Sequence, residues 1–342
     1  MERISIIVPV YNASKYLREC LDSLVNQTAR EIEIIAVDDN STDNSLEILE
    51  EYQSRYPKII RVIHNEKNLG AAASRNKAMK LATGEYIGFV DSDDRVSDNM
   101  YQSMYDALKE TNSTIARSNR VIVYGNFDVS FLGRKANMDS QVIRPKEDIS
   151  YLSREIPCVT NKLFDRNLIE GREFPEGLKW EDYPFSIPVL YRASSVVVVP
   201  EARYIYNMNL LGTTVTDTHK IPKVLDIFEG SDRIIKEITS EDRRPEVVQE
   251  LNYVAISNCL QRTRDILYSG NIPLEKKKEL LSLVSSLIKQ KYGSWIDNPK
   301  YQEYKRQKKL YRLRMSIVEK LVTDRFDNLP TEEIEHRLQK AV

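Results

Sequence analysis

Four short apolar runs, ISIIVPV (4–10), IEIIAVDD (32–39), IIRVIH (59–64) and YIGFVDSDD (86–94), are separated by stretches of helical periodicity. Runs with so little polar alternation suit parallel strands covered on both faces, because a half-exposed strand alternates strictly. Between them, Leu17, Cys20, Leu21 and Leu24 recur at helical spacing, as do Leu46, Leu49 and Tyr52 behind the capping candidates Ser41 and Thr42. The order predicts an α/β fold with a doubly wound, mainly parallel sheet. Ligands of such sheets bind beyond the carboxyl ends of the strands. Here those ends carry Asn12, then Asp38, Asp39 and Asn40, then His64 and Asn65, then Asp91, Asp93 and Asp94.

Composition excludes several classes. The chain has 342 residues, 41% hydrophobic and 30% charged, which is ordinary for a soluble globular protein of two or three packed units. Its 50 basic and 51 acidic residues nearly cancel, so no nucleic-acid partner is expected. Cys20, Cys158 and Cys259 are scattered, without metal-ligand spacing, and read as reduced, buried thiols. No charged-then-apolar leader opens the chain and no apolar run approaches a membrane span. The expectation is a cytoplasmic protein, at most peripheral to the inner face of a membrane.

The acids at the strand ends need a reason. Four strand ends converging on one crevice would gather Asp38, Asp39, Asp91 and Asp93 in a small volume. A divalent cation makes such repulsion tolerable, and hard oxygen donors favour Mg2+ or Mn2+. An isolated Asp-x-Asp is usually a solvated turn. Asp91-Ser92-Asp93 would then only lead into the helical pattern opening at Ser97 or Asp98. The other acidic strand ends favour the ligand reading.

The stretches SIIVPVYN, IIAVDDNSTDNS and NLGAAASRNKAMKLATGEYIGFVDSDD, with the later NKLF and WEDYPF, resemble the family 2 glycosyltransferases of GT-A fold. The likeness is dense over 3–110 and thinner to about 215. It implies an inverting transferase that takes a nucleotide diphosphate sugar, most simply a uridine diphosphate sugar, in bacterial surface polysaccharide or other glycoconjugate synthesis. On this reading Pro9, Val10 and Tyr11 border the uridine and Asp39 accepts from the base N–H. Arg75 approaches the nucleotide, which the small residues Gly70 to Ala73 permit. Asp91 and Asp93 bind Mn2+ or Mg2+, and Asp91 and Ser92 lie beside the donor. Asp182 is the implied general base, with Glu181 in support or touching the acceptor. Trp180, Tyr183 and Phe185 around the pair would raise a carboxylate's pKa, while a helix starting there would equally suit two acids.

The sequence departs from that family pattern at Met208 and Asn209, where a basic residue for the diphosphate is expected. Its task would fall to the metal, to Thr213 or Thr214, or to Lys162 or Lys179, with His219 a further metal-ligand candidate. The expected divisions are 1–110, a nucleotide-sugar half; 111–219, an acceptor half; and 220–342, an all-helical appendage. In that appendage 300–320 is basic, with Tyr301, Tyr304, Leu310, Tyr311, Leu313 and Met315 interleaved. It suits an anionic bilayer, an acidic partner or simple solvation. A lipid-linked or saccharide acceptor and homo-oligomerisation through the helices fit this picture. A phosphoacceptor receiver would need a lysine ending a later strand. A nicotinamide dehydrogenase would need GxGxxG where PVYNAS stands. A protein that binds nucleotide sugar without turning it over remains the alternative.

Overall fold

The computed structural model describes residues 3–29, 31–124, 127–128, 140–208, 224–268, 272–307, 315 and 317–340. They form two compact units, Met1–Gly177 with Glu181–Asn209, and Leu178–Trp180 with Leu210–Val342. The first unit runs β1 (Ile4–Val10), α1 (Ser14–Val25), β2 (Ile32–Asp38), α2 (Ser45–Arg55), β3 (Ile60–His64), α3 (Ala71–Leu81) and β4 (Tyr86–Phe89). Then come β5 (Arg95–Val96), α4 (Met100–Thr111), β6 (Ile115–Tyr124), β7 (Phe127–Asp128), β8 (Gln141–Ile143) and α5 (Tyr151–Arg154). It closes with β9 (Lys162–Asp165), α6 (Arg166–Ile169), α7 (Asp182–Arg192) and β10 (Val196–Asn207).

One sheet of order β3-β2-β1-β4-β9-β6-β10-β5 carries the unit, with β7 added to β6 and β8 to β10. The four expected strands pair in parallel, and β9 is antiparallel to both β4 and β6. The stretches either side of residue 110 therefore share a single sheet. Ile4, Ile6, Val8 and Val10 alternate onto the face covered by Leu17, Cys20, Leu21 and Leu24 of α1 and by Tyr101, Met104 and Leu108 of α4. Near the start of α7, the ring of Phe89 meets Phe164, Phe174 and Phe185 edge-on, and Phe174 stacks on Phe185 at 3.9 Å.

Strand β10 follows β6 from Val196↔Ile115 to Val199↔Ser118, then resumes at Arg203↔Asn119. Pro200, Glu201 and Ala202 form the bulge between. Val197 and Val199 before it and Ala202 and Tyr204 after it belong to the same core.

Two local expectations are corrected. Ser41 and Thr42 do not cap α2, which begins at Ser45 behind Asn44. Ser41 Oγ instead accepts from Asn12 N–H, and Thr42 N–H donates to Asn12 Oδ1, so both tie the end of β1 to the loop after β2. The helix after the acidic loop begins at Met100 rather than at Ser97 or Asp98. Strand pairing of Arg95 and Val96 with β10 takes the intervening residues out of helical geometry.

The second unit is helical, as expected: α8 (Val224–Thr239), α9 (Pro245–Tyr268), α10 (Leu274–Tyr292), α11 (Pro299–Gln307) and α12 (Thr331–Lys340), with a 3-10 turn at Asp324–Phe326. Tyr301 is buried against Trp295 at 5.2 Å, its hydroxyl donates to Glu319 at 2.8 Å, and Met315 and Val318 are buried. Tyr301 and Met315 thus serve this unit's own core and are unavailable to a bilayer. Leu310, Tyr311 and Leu313 lie outside the described residues, as does the side chain of Tyr304. Among the described residues no helix is long and apolar enough to cross a membrane. The three cysteines are free, Cys20 and Cys259 buried and Cys158 half-buried.

Gly88 in β4 exists because of Tyr101: a Cβ there would stand 2.6 Å from the ring edge of that fully buried side chain. Gly88→Ala should destabilise the chain by about 1–3 kcal/mol, the range for overfilling a packed core. Urea unfolding with an unchanged slope checks this, and a parental midpoint would contradict it.

Candidate active site

The carboxyl ends of β1 and β2 form one wall. Tyr11 is exposed, Pro9 half-buried and Val10 buried, while Asn12 takes φ 49°. Asp39 is buried and bonded at both oxygens: Oδ1 accepts from Asn65 Nδ2 and Leu69 N–H, each at 2.9 Å, and Oδ2 from Gly70 N–H at 2.7 Å. These bonds hold the loop before α3. Gly70 needs its freedom there, since it takes φ 89°. Asp38 is buried as well, with Oδ2 against Ser41 N–H and His64 Nδ1 and no hydrogen-bond partner for Oδ1.

From α3, Arg75 reaches the centre of the site. Its guanidinium is 5% exposed and pairs with Asp91 at 2.8 Å, Glu181 at 2.5 Å and Asp182 at 3.1 Å. It also lies over the ring of Phe174, 5.4 Å from the centroid. Burial works against its charge, yet Asp182, Asp91 and Glu181 together raise its pKa above the ordinary arginine value. One arginine thereby joins the loop after β4 to the first turn of α7. Glu181 precedes that helix without bonding its amides. Just ahead, Trp180 sits at φ 62°, a conformation that bulky residues avoid.

Three carboxylates on one guanidinium leave the cluster overcharged, and the acids register it. Burial first, then Glu181 and Asp91, push Asp182 up to about 7, although Arg75 and the Val159 N–H at 3.4 Å pull the other way. Burial and the charge of Asp91 push Asp93 up to about 6. Among the described residues no cluster of three or more His, Cys, Asp or Glu side chains is arranged as a metal cage. The donors available are the half-buried Asp91 and Asp93.

Sequence reasoning missed what holds this loop. Asp94 is buried, accepting from Tyr204 Oη–H at 2.6 Å and from Asn207 N–H at 2.8 Å. The Tyr204 hydroxyl in turn accepts from Asp91 N–H at 3.2 Å, so β10 fixes the turn through one phenol. The third acid of DSDD was visible, but its partner 110 residues away is legible only from strand pairing. Ser92 is half-buried in the same turn.

The proposed substitutes for a diphosphate-binding base fare unevenly. Lys162 is fully buried, donating to the carbonyls of Ile156 at 3.0 Å and Cys158 at 2.8 Å and pairing with Glu155 at 3.1 Å. It is committed to shaping the 156–161 loop, whose Val159 N–H meets Asp182. Lys179 lies over the ring of Trp180. Met208 donates its N–H to Val123 O at 2.7 Å. Asn209, Thr213, Thr214 and His219 lie outside the described residues.

Comparison with known proteins agrees with this architecture. Residues 5–170 match the family model "Glycosyl transferase family 2". The glycosyltransferase GlyG of Streptococcus pneumoniae is 33% identical over 60% of this chain and 70% of its own length. The poly(ribitol-phosphate) beta-glucosyltransferase of Bacillus spizizenii is 30% identical over 81% of this chain, which spans 42% of that longer protein. The crystal structure of S. aureus TarS 1–349 in complex with UDP superposes with a TM-score of 0.65 at 24% identity, covering 99% of this chain and 87% of that one. The fold is of GT-A type, and the chain belongs to glycosyl transferase family 2.

Proposed function

We propose that the protein moves a sugar from a nucleotide diphosphate sugar, most simply a uridine diphosphate sugar, to a hydroxyl of a saccharide or glycoconjugate, with inversion. The observation that supports this most is the three-way ion pair of Arg75, which gathers Asp91, Glu181 and Asp182 at one place. The likeness to a poly(ribitol-phosphate) beta-glucosyltransferase and to a fold solved in complex with UDP supports a bacterial surface-polymer role and a uridine donor. A peripheral membrane contact through 300–320 would have to use side chains other than Tyr301 and Met315.

In this reading the end of β1 at Pro9, Val10 and Tyr11 borders the nucleoside, with Ser92 nearby. Asp39 meets the base edge while sharing its oxygens with the Leu69 and Gly70 amides. Asp91 and Asp93 suit a hard divalent cation, Mn2+ or Mg2+, because both are oxygen donors whose mutual repulsion a cation would relieve. When bound, such an ion supplies positive charge to a departing diphosphate. The cation would draw its other oxygens from phosphate and water, as Mg2+ commonly does.

The acceptor hydroxyl attacks the anomeric carbon from the face opposite the diphosphate. Its proton passes to Asp182, the carbon–oxygen bond to the diphosphate breaks, and the electron pair stays on the phosphate oxygen. A single displacement leaves no covalent intermediate, so configuration inverts. A carboxylate near 7 is a suitable proton acceptor at neutral pH. A second reading, binding without turnover, is favoured by the engagement of Asp182 with Arg75 at 3.1 Å. A turnover assay with and without Mn2+ separates the two.

Three outcomes are expected. Asp93→Asn should lose metal-dependent UDP binding by calorimetry while keeping or raising its melting temperature, because it removes repulsion; parental affinity would remove Asp93 from the site. Asp182→Asn should keep near-parental donor affinity and lose about 10²–10⁴-fold in transfer rate, with an inverted product from the parent. Substantial transfer by the variant, or a retained product, would end the mechanism.

The third outcome is the pH profile. Asp182 must be ionised to act, so kcat/KM of the parent should climb with pH to a plateau above about 7. Stability runs the opposite way. Asp93 and Asp182 bind protons more tightly folded than unfolded, so the metal-free melting temperature should fall as pH rises from about 4 through their raised values of about 6 and about 7. A melting temperature that rises across this window would contradict the overcharged site.

A further inference from the structure

Strand β6 brings a cation to the acidic loop that nothing above employs. In the parallel register Arg120 stands beside Tyr204, the residue whose hydroxyl bridges Asp94 and the Asp91 amide. Residues in parallel register share a face, and Tyr206 lies two positions on along the same face. The Arg120 guanidinium indeed lies over the Tyr206 ring, 4.1 Å from its centroid. Such stacking suits arginine, whose planar group is weakly hydrated.

Arg120 differs from the buried arginines Arg75 and Arg117 in its pairing. Among the described residues no carboxylate pairs with it, and its buried Nε has no acceptor. Arg75 by contrast holds three carboxylates, and Arg117 on the same strand pairs with Glu155. Arg120 is nevertheless one strand away from the residue that holds the acidic turn, since its register partner Tyr204 bonds both Asp94 and the Asp91 amide. The Tyr206 phenol is raised from its ordinary value by burial first, with Arg120 opposing and Asp94, Asp93 and Asp91 adding. The Tyr206 ring thus feels both the acidic turn and a guanidinium that pairs with no carboxylate among the described residues.

Among the described residues no ion pair joins Arg120 to the acidic turn; an anion drawn to one and a cation drawn to the other would complete both. We propose that Arg120 takes a phosphate oxygen of the donor's diphosphate, and so supplies the positive charge absent at Met208. This assignment rests on the nucleotide-sugar reading of the site. The guanidinium offers fork geometry to two phosphate oxygens, and Tyr206 keeps it oriented without consuming its donors. A phosphate carried by the acceptor has the same chemistry, and the test separates the two sources.

The full chain and its Arg120→Gln, Arg120→Lys, Tyr206→Leu and Asp93→Asn variants would be titrated with UDP plus Mn2+, and with uridine as the phosphate-free comparator. Arg120→Gln should weaken UDP binding about 10- to 100-fold, the usual reach of a charge-assisted bond, and leave uridine binding unchanged. Arg120→Lys should lose less, and Tyr206→Leu should fall between Lys and the parent, all with parental circular dichroism. UDP affinity in Arg120→Gln equal to the parent's, where Asp93→Asn has lost it, would overturn the role of Arg120 alone. Unchanged UDP affinity with a raised KM only for a phosphate-bearing acceptor would move the contact to the acceptor and overturn the donor assignment. Failure of the parent to bind UDP with Mn2+ would overturn the underlying reading, and this proposal with it.

Discussion

A single buried guanidinium organises the site. Arg75 can hold Asp91, Glu181 and Asp182 together only because α3 is aimed at them, and α3 is aimed by Asp39, which grips the Leu69 and Gly70 amides at its start. Beneath the guanidinium the rings of Phe174, Phe185 and Phe89 exclude water, which strengthens every ion pair above them. The end of β4 and the start of α7 lie some ninety residues apart and share no backbone pairing. Charge and the packing of Phe89 on Phe185, rather than the sheet, bring them together.

The same interaction explains why the site is receptive. Arg75 is too little charge for the acids it serves, and among the described residues Asp93 beside them has no arginine of its own. The surplus shows as carboxyl groups that keep their protons to unusually high pH. Family 2 membership then gives the surplus a chemical use. In the proposed reading a ligand that carries its own counterions would complete the electrostatics, without a closed cage of side chains. The loop between Glu155 and Lys162 follows the same economy, since its buried lysine satisfies three oxygen atoms of that loop and leaves the Val159 amide to Asp182.

Much of the fold was legible because apolar runs and helical spacing are local signals. Strands β1 to β4, the helices between them and the helical second unit follow from them directly. The caps of α2 were misread because Ser41 and Thr42 have the right chemistry but are claimed by Asn12, a contact across the sheet. Asp91, Arg75, Glu181 and Asp182 could be named from resemblance, yet their mutual bonding could not, since it depends on three separate elements meeting. Tyr204, Asp94 and Arg120 were out of reach for a related reason. Their partnership is set by the register of β10 on β6, and register is a property of pairs of strands. In the basic, tyrosine-bearing stretch after 300, composition alone could not show that Tyr301 and Met315 are core.

The bulge at Pro200, Glu201 and Ala202 sets which side chains of β10 face inward. Along an uninterrupted strand, inward-facing positions keep one parity, and here the parity changes from odd at Val197 and Val199 to even at Ala202 and Tyr204. The inserted residues act as a reading frame for side-chain direction. Loss of one of them would leave the strand able to pair but turn Tyr204 and Tyr206 outward and present Arg203 and Ile205 to the acidic turn. Substitutions at the exposed Glu201 are therefore cheap, whereas filling the buried Ala202 or changing the length of the bulge is not.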